Sequence, residues 1–409
     1  MRSRARHHRH DGFSISFSWP GFLVFAALVL GGGTRTGLTS DFLVQILALP
    51  VIWRFIMTFP RRDQWPAAIM IAAIFALFAW QLWPVITGQG LSFPNTLDAG
   101  RTLHAMLIVL VPIALFWVVM GMEQRKREQL VSWFLAGVAL NFLFAFIQFA
   151  SGRSTSMFQP FSWAMKAGFF ANENHLATLF VMAVPALVAA FRITPWPLLS
   201  LPVIAVLIFF ELIVGSHAGV GLMIATAAMS YAFVYARSWL ALMATSLAMA
   251  IVGWLAWPYL NQILLRDLSL GGNALSRATF ARNTLAAIRD HWPWGSGMDT
   301  FTLVYPRYEK ATGIVEQYAN HAHDDWLEVA LEGGLPAVVL LAAFLLLVLV
   351  AVMRRNLFNM QRAAFLAVVM PLLHSLVDYP LRTLAISCSF ALFLAILMPR
   401  PESRASHAG

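Results

Sequence analysis

Apolar residues run through this chain in blocks of about twenty, long enough to cross a hydrocarbon layer of roughly 30 Å as helices. Twelve blocks can be marked, near residues 13–33, 41–57, 65–87, 102–121, 129–150, 173–191, 197–214, 218–235, 239–260, 334–353, 363–378 and 382–398. Most connections between them are short. Residues 261–333 are the exception, a long segment in an otherwise tight pattern. The pattern predicts an all-α polytopic membrane protein of about twelve transmembrane helices, because a helix closes its own backbone hydrogen bonds within lipid. The expected organisation is a basic tail over 1–12, nine spans over 13–260, a long and partly helical loop over 261–333, three spans over 334–398 and a short tail over 399–409.

Charge then sets the expected orientation. Arg2, Arg4, Arg6 and Arg9 precede the first block, and the connections on that side carry sixteen lysines and arginines against five in the alternating short ones. The positive-inside rule places both termini in the cytoplasm and the long loop on the opposite face. The first block reads as an uncleaved helix, since it is long and lacks a small-x-small cleavage site.

Composition agrees with the pattern. The chain has 409 residues, 59% of them hydrophobic and 11% charged, with a mean hydropathy of +0.70. A soluble domain carries roughly 25% charged residues. The net charge of +9 sits in short clusters between apolar blocks, so no nucleic-acid face is expected. The single cysteine, Cys388, excludes a disulfide framework and a Cys-based zinc site.

The long loop has its own pattern. Phe280, Leu285 and Ile288 carry an apolar stripe through Arg277–Arg289, which predicts a helix. The run Trp292-Pro293-Trp294-Gly295-Ser296-Gly297 breaks it. A second helix is expected to begin near Asp324 and to run to Gly333-Gly334.

Five polar clusters could carry chemistry. Residues 320–328 hold His321, His323, Asp324, Asp325 and Glu328, where an imidazole could accept a hydroxyl proton and a carboxylate could orient it. The same residues could form a capped, solvated helix start. His-x-His beside an acid could also hold zinc, but no second such cluster lies nearby in sequence, so no metal and no cofactor is expected. Arg277, Arg282 and Arg289 could hold a diphosphate by charge-assisted bonds, or could rest on lipid headgroups and loop acids. Asn172, Asn174 and His175 open the sixth block, as caps or as hydrogen-bonding groups for sugar hydroxyls. Glu211, Ser216 and His217 lie at the end of the seventh. His374, Asp378 and Arg382 lie at the end of the eleventh, with His374 and Asp378 spaced as one helix face or as part of an internal ion-pair network. On the charge map all five clusters fall on the face opposite the termini.

These segments resemble the O-antigen ligase and O-antigen polymerase superfamily of bacterial membrane glycosyltransferases. His323-Asp324-Asp325-Trp326-Leu327, followed by Glu332-Gly333-Gly334, is similar to the family's His-Asn-x-aromatic-Leu and Glu-x-Gly, with Asp324 in place of the asparagine. Gly168-Phe169-Phe170-Ala171-Asn172-Glu173-Asn174 looks like its Gly-x-Phe-x-Asn-x-Asn. The stretch from Arg277 through Asp290-His291-Trp292-Pro293-Trp294-Gly295-Ser296-Gly297 to Phe301 looks like its Arg…His-Pro-x-x-Gly-x-Gly…Phe, with Trp292 inserted. His374 to Arg382 is similar to a late segment common in exopolysaccharide members. Where the family often has Ser-Arg-Gly or Ser-Arg-Ala, this chain has Ser216-His217-Ala218.

The resemblance implies a glycosyltransferase of C-type architecture in the bacterial inner membrane, working at the periplasmic face without a metal. Its donor would be an undecaprenyl-diphosphate-linked glycan. Its acceptor would be lipid A–core for a ligase, or another lipid-linked repeat for a polymerase. The implied catalytic set is His323 as base with Asp324 and Glu332. The implied binding set is Arg277, Arg282, Arg289, Asn172, Asn174, His217, His374, Asp378 and Arg382. The competing expectation is a transporter or flippase for lipid-linked glycans, although midplane sites on broken helices and inverted repeats are not evident.

Overall fold

The computed structural model describes residues 17–33, 39–88, 96–152, 166–235, 277–309, 319–353 and 356–399. The ninth apolar block, 239–260, and most of the two tails lie outside the described residues. The described residues contain helices and turns and no strand. The helices are α1 (Trp19–Leu30), α2 (Thr39–Ile56), α3 (Trp65–Ile86), α4 (Ala99–Met120), α5 (Gln124–Ser151), α6 (Glu173–Arg192), α7 (Ser200–Val214) and α8 (His217–Tyr235). They continue with α9 (Arg277–His291), the short α10 (Phe301–Val304), α11 (Asp325–Met353), α12 (Asn359–His374) and α13 (Leu384–Leu397).

Seven stretches are long and apolar enough to cross a membrane: Thr39–Ile56, Arg62–Pro84, Ala99–Met120, Gln124–Ser151, Glu173–Arg192, Pro197–Val214 and Asp325–Met353. Trp19–Leu30, Gly219–Tyr235 and Leu384–Leu397 are shorter apolar helices. The protein is therefore a helical, multi-pass membrane protein, with fewer full-length spans described than the twelve apolar blocks. Part of the difference lies at α12, which ends at His374 after 16 residues, so Asp378 sits in the turn beyond it.

At the centre stands α6, in which every residue from His175 to Ala190 is buried, whereas α11 beyond its bend buries only Ala337 and Val348. Packed against α6 are α12 and α8; α13 packs on α4 and α12, and α1 packs on α5. A central α6 puts the polar residues at its N-terminus inside the protein rather than against lipid. Asn141 and Gln148, both buried on α5, fix the approach to that N-terminus. Gln148 Oε1 accepts from Gly168 N–H at 2.9 Å, and Asn141 Oδ1 accepts from Phe169 N–H at 3.2 Å.

The stretch read as a loop helix is α9. Its buried face is Phe280, Thr284 and Ala287, which packs it against α11. Gly333-Gly334 ends the first of two helical limbs, as the sequence leads one to expect. Gly334 adopts φ 59, ψ −156, so α11 enters as a short first limb and continues as an apolar second limb. A Cβ at Gly334 would collide with the backbone of Pro293 and Trp294. The close approach lets residues 293–297 lace onto the kink. Leu335 N–H donates to Pro293 O at 2.7 Å, Ser296 N–H to Leu331 O at 2.9 Å and Gly297 N–H to Glu332 O at 2.9 Å.

Candidate functional site

The polar clusters meet at the turn between α12 and α13. Asp378 is the hub, with a fully buried side chain. Asn174 Nδ2 donates to its Oδ2 at 2.6 Å, and Tyr379 N–H donates to its Oδ1 at 2.9 Å. Three cationic or potentially cationic groups surround the same carboxylate: His323 Nδ1 at 3.5 Å, Arg277 Nη2 at 3.5 Å and His175 Nε2 at 3.7 Å. Burial alone would raise the pKa of Asp378. Hydrogen bonding and charge from His175 and His323 outweigh it and hold the carboxyl well below its ordinary value.

His323 and Arg277 form the open side of this hub, at 24% and 38% side-chain exposure against zero for Asp378. His323 has φ 53, a left-handed conformation that non-glycine residues adopt at a cost of about 1–3 kcal/mol. Two rings hold the imidazole in that position. Phe280 of α9 stacks on it at 5.1 Å and 19°, and Tyr379 meets it edge-on at 4.8 Å. Because Nδ1 points at Asp378, the other ring nitrogen is the one left to act as a base. Tyr379 also packs on His175 and His321, and burial with the nearby Asp378 charge pushes its hydroxyl up to about 12.

A second ionic network supports the first. Arg382 reaches Asp325 at 3.4 Å, Glu328 at 3.5 Å and Glu332 at 2.9 Å, three acids on one face of the first limb of α11. Burial opposes the charge on Arg382, but the three carboxylates raise its pKa further above the ordinary value. Glu328 also accepts from Ala322 N–H at 2.9 Å and lies 2.8 Å from His321 Nδ1. Ser375 Oγ donates to Asp325 at 2.8 Å. Together these bonds clamp the 321–323 turn to the 375–382 turn.

Several expected roles change in the structure. Asp324 does not orient the imidazole. Its Oδ1 accepts from Trp326 N–H at 2.9 Å and Leu327 N–H at 3.0 Å, which makes it the cap of α11. Its pKa is raised, chiefly by burial. Glu332 is fully buried, bonded to Arg382 and accepting Phe301 N–H at 3.1 Å, so it braces the fold rather than facing a substrate. Arg382 is likewise committed to carboxylates. Of the three loop arginines, only Arg277 joins the hub. Arg282 and Arg289 are exposed on the far face of α9, with no ion pair among the described residues.

Asn172 caps α6 through Asn174 N–H at 2.9 Å, while Asn174 reaches Asp378. His374 does not pair with Asp378; its Nδ1 lies 2.7 Å from Thr178 Oγ1. The side chain of His217 lies outside the described residues. The implied catalytic and binding sets left out His175, Asp325 and Glu328, which the polar clusters contain, and neither Tyr379 nor Phe280 was singled out as a site residue. The spacing of Asp325, Glu328 and Glu332 along one helix face was the available signal for the Arg382 network.

Two apolar cavities lie beside the second ionic network. A cavity of about 460 Å³ lies between α3, α4, α11 and α13, lined by residues such as Ile74, Phe116, Phe344 and Phe390. A second of about 350 Å³ shares Ile74 and Phe344 and ends at Asp325, Ser375 and Arg382.

Residues 202–342 match the O-antigen ligase family. This match supports placing the chain in the O-antigen ligase and polymerase superfamily. The matched segment carries Arg277, His323 and Glu332; Asn174 and Asp378 lie outside it. No curated protein matches the chain.

Proposed function

We propose that the protein transfers a glycan from undecaprenyl diphosphate to a sugar hydroxyl at the periplasmic face of a bacterial inner membrane. The observation that supports this reading most is the meeting of His323 and Arg277 on one carboxylate, Asp378, at 3.5 Å each. A base and a phosphate-binding cation are thereby held side by side on the open face of a buried hub.

The acceptor hydroxyl gives its proton to the free nitrogen of His323 as its oxygen bonds to the anomeric carbon of the donor sugar. The bond from that carbon to the diphosphate oxygen breaks, and the diphosphate leaves with the electron pair. Attack opposite the leaving group inverts the anomeric centre. Asp378 keeps the ring oriented and stabilises the imidazolium that forms. Arg277 neutralises charge growing on the leaving diphosphate with a planar, permanently charged group. General-base assistance contributes about 10²–10⁴ in rate. The cavity that shares Ile74 and Phe344 with the larger one suits the polyprenyl tail, since it is lined mostly by hydrocarbon and reaches Asp325, Ser375 and Arg382 of the second ionic network.

The test uses purified protein in lipid with an undecaprenyl-diphosphate glycan and either lipid A–core or a second lipid-linked glycan. His323→Ala should abolish transfer while the thermal midpoint stays near wild type. Turnover that survives the substitution removes His323 as the base. Growth in chain length marks a polymerase, and a single transfer to lipid A–core marks a ligase.

A further inference from the structure

Arg54 lies in the last turn of α2, and the mechanism above does not use it. Its guanidinium has no hydrogen bond or ion pair among the described residues; only its carbonyl is engaged, accepting from Thr58 Oγ1 at 2.5 Å. Beside it Trp53 and Ile56 are exposed, at the end of a helix long and apolar enough to cross a membrane. A cation at such a place is costly unless it reaches the interface or a partner. Arg54 lines a cavity of about 570 Å³, together with Trp19 and Pro20 of α1, Val118 and Gly121 at the end of α4, and Lys126 of α5.

The charges of this cavity favour an anion. Against Arg54 and Lys126 stands one acid, Glu123, whose carboxylate is 3.8 Å from Lys126. Helices α1 and α5 both begin at the cavity wall, and no side chain caps either N-terminus, so their free N–H groups add partial positive charge. Helix α4 ends there, but Arg127 already donates to its Met120 O and to Met122 O. The end of α2 is answered in the same way by the Thr58 hydroxyl and by Met57 N–H, which donates to Trp53 O at 3.0 Å. The chain's own tail has the wrong sign to fill the cavity, because residues 1–16 carry Arg2, Arg4, Arg6 and Arg9 against the single acid Asp11.

The cavity is far from the hub. Helix α5 starts at its wall and runs for 28 residues, about 42 Å at 1.5 Å per residue, to the end where Gln148 holds Gly168. The two places therefore lie at opposite membrane faces, and the charge pattern expects the cytoplasm on the side of the cavity. We propose that this cavity binds the headgroup of an anionic phospholipid, with Arg54 and Lys126 on its phosphate. Phe42, Ile46, Leu49 and Trp53 form an exposed apolar stripe along α2 that leads to Arg54, and the acyl chains lie along it. That stripe favours a lipid over a soluble phosphate. Anionic headgroups are drawn to lysines and arginines at the membrane surface. The inference is independent of the transfer reaction.

Lipid titration of the purified full-length protein, read by native mass spectrometry, tests it with phosphatidylglycerol and phosphatidylcholine of the same acyl chains. Each Lys or Arg near an anionic lipid is worth about fivefold, so wild type should prefer phosphatidylglycerol by about five- to thirtyfold. Arg54→Gln should lower that preference about fivefold, with phosphatidylcholine binding and the thermal midpoint near wild type, and Arg54→Lys should keep it. Arg282→Gln, which removes an exposed cation on α9, should change nothing. Equal retention of the two lipids by wild type overturns the proposal, as does an Arg54→Gln protein with the wild-type preference. Inorganic phosphate at millimolar concentration is the third probe and should not displace phosphatidylglycerol. Displacement that Arg54→Gln abolishes marks a soluble phosphate ligand and overturns the lipid assignment.

Discussion

Replacing Asp378 by asparagine keeps the size of the side chain and removes its charge. Five donors or cations surround this carboxylate: Asn174, Tyr379 N–H, His323, Arg277 and His175. An amide offers one acceptor oxygen and turns its NH2 toward the remaining donors, so at least one contact becomes donor against donor. The term that matters for catalysis is the His323 contact. Its 3.5 Å is longer than the roughly 2.7–3.2 Å of a good hydrogen bond, and catalytic contacts of this kind tighten when substrate is bound. A hydrogen bond to a charged group is worth about 1.5–3 kcal/mol, and losing it from the imidazolium-like transition state lowers kcat roughly 10- to 150-fold. The assay is initial-rate transfer by purified Asp378→Asn at saturating donor, with a thermal melt as control. A kcat within about twofold of wild type, with the melt unchanged, would refute the role assigned to Asp378.

Arg277→Lys keeps the charge but loses the planar fork, and should raise the KM for the lipid-linked donor at least tenfold, whereas Arg282→Ala and Arg289→Ala should stay within about twofold in the same kinetic assay. Glu332→Gln leaves Arg382 with two acids instead of three and should lower stability by about 1–3 kcal/mol in a detergent melt, with kcat per folded molecule nearly unchanged. Gly334→Ala places a side chain against the Pro293–Trp294 backbone at φ 59, and should lower the thermal midpoint and the yield of folded protein, at a cost of about 1–3 kcal/mol from the backbone conformation alone.

The apolar blocks made the helical membrane architecture legible because lipid demands length and hydropathy, which the sequence shows directly. The helix at Arg277 and the helix start near Asp324 were legible for a related reason, since the apolar stripe through Phe280 and the capping acid are local signals. Partners across the fold were not legible. His374 and Asp378 are four residues apart and invite pairing, yet the turn after α12 gives Asp378 to His323 and Arg277, while His374 turns to Thr178 on α6. Asp324 stands next to His323 in sequence, but the left-handed backbone at His323 sends the imidazole one way and leaves the acid to the helix end. Gly333-Gly334 reads as a stop and is one, but the 293–297 loop that packs into the bend and redirects the chain into the apolar limb could not be read from it. In each case the deciding contact joins residues far apart along the chain.

One carboxylate shared between the imidazole and the guanidinium has a kinetic consequence. Arg277 leans on Asp378 and draws off part of its negative potential. A diphosphate arriving at Arg277 competes for that guanidinium, and each increment it wins leaves Asp378 more electron-rich toward the histidine. On the proposed function, the leaving group would then arm the proton acceptor, so that the histidine becomes a stronger base only once the donor is seated.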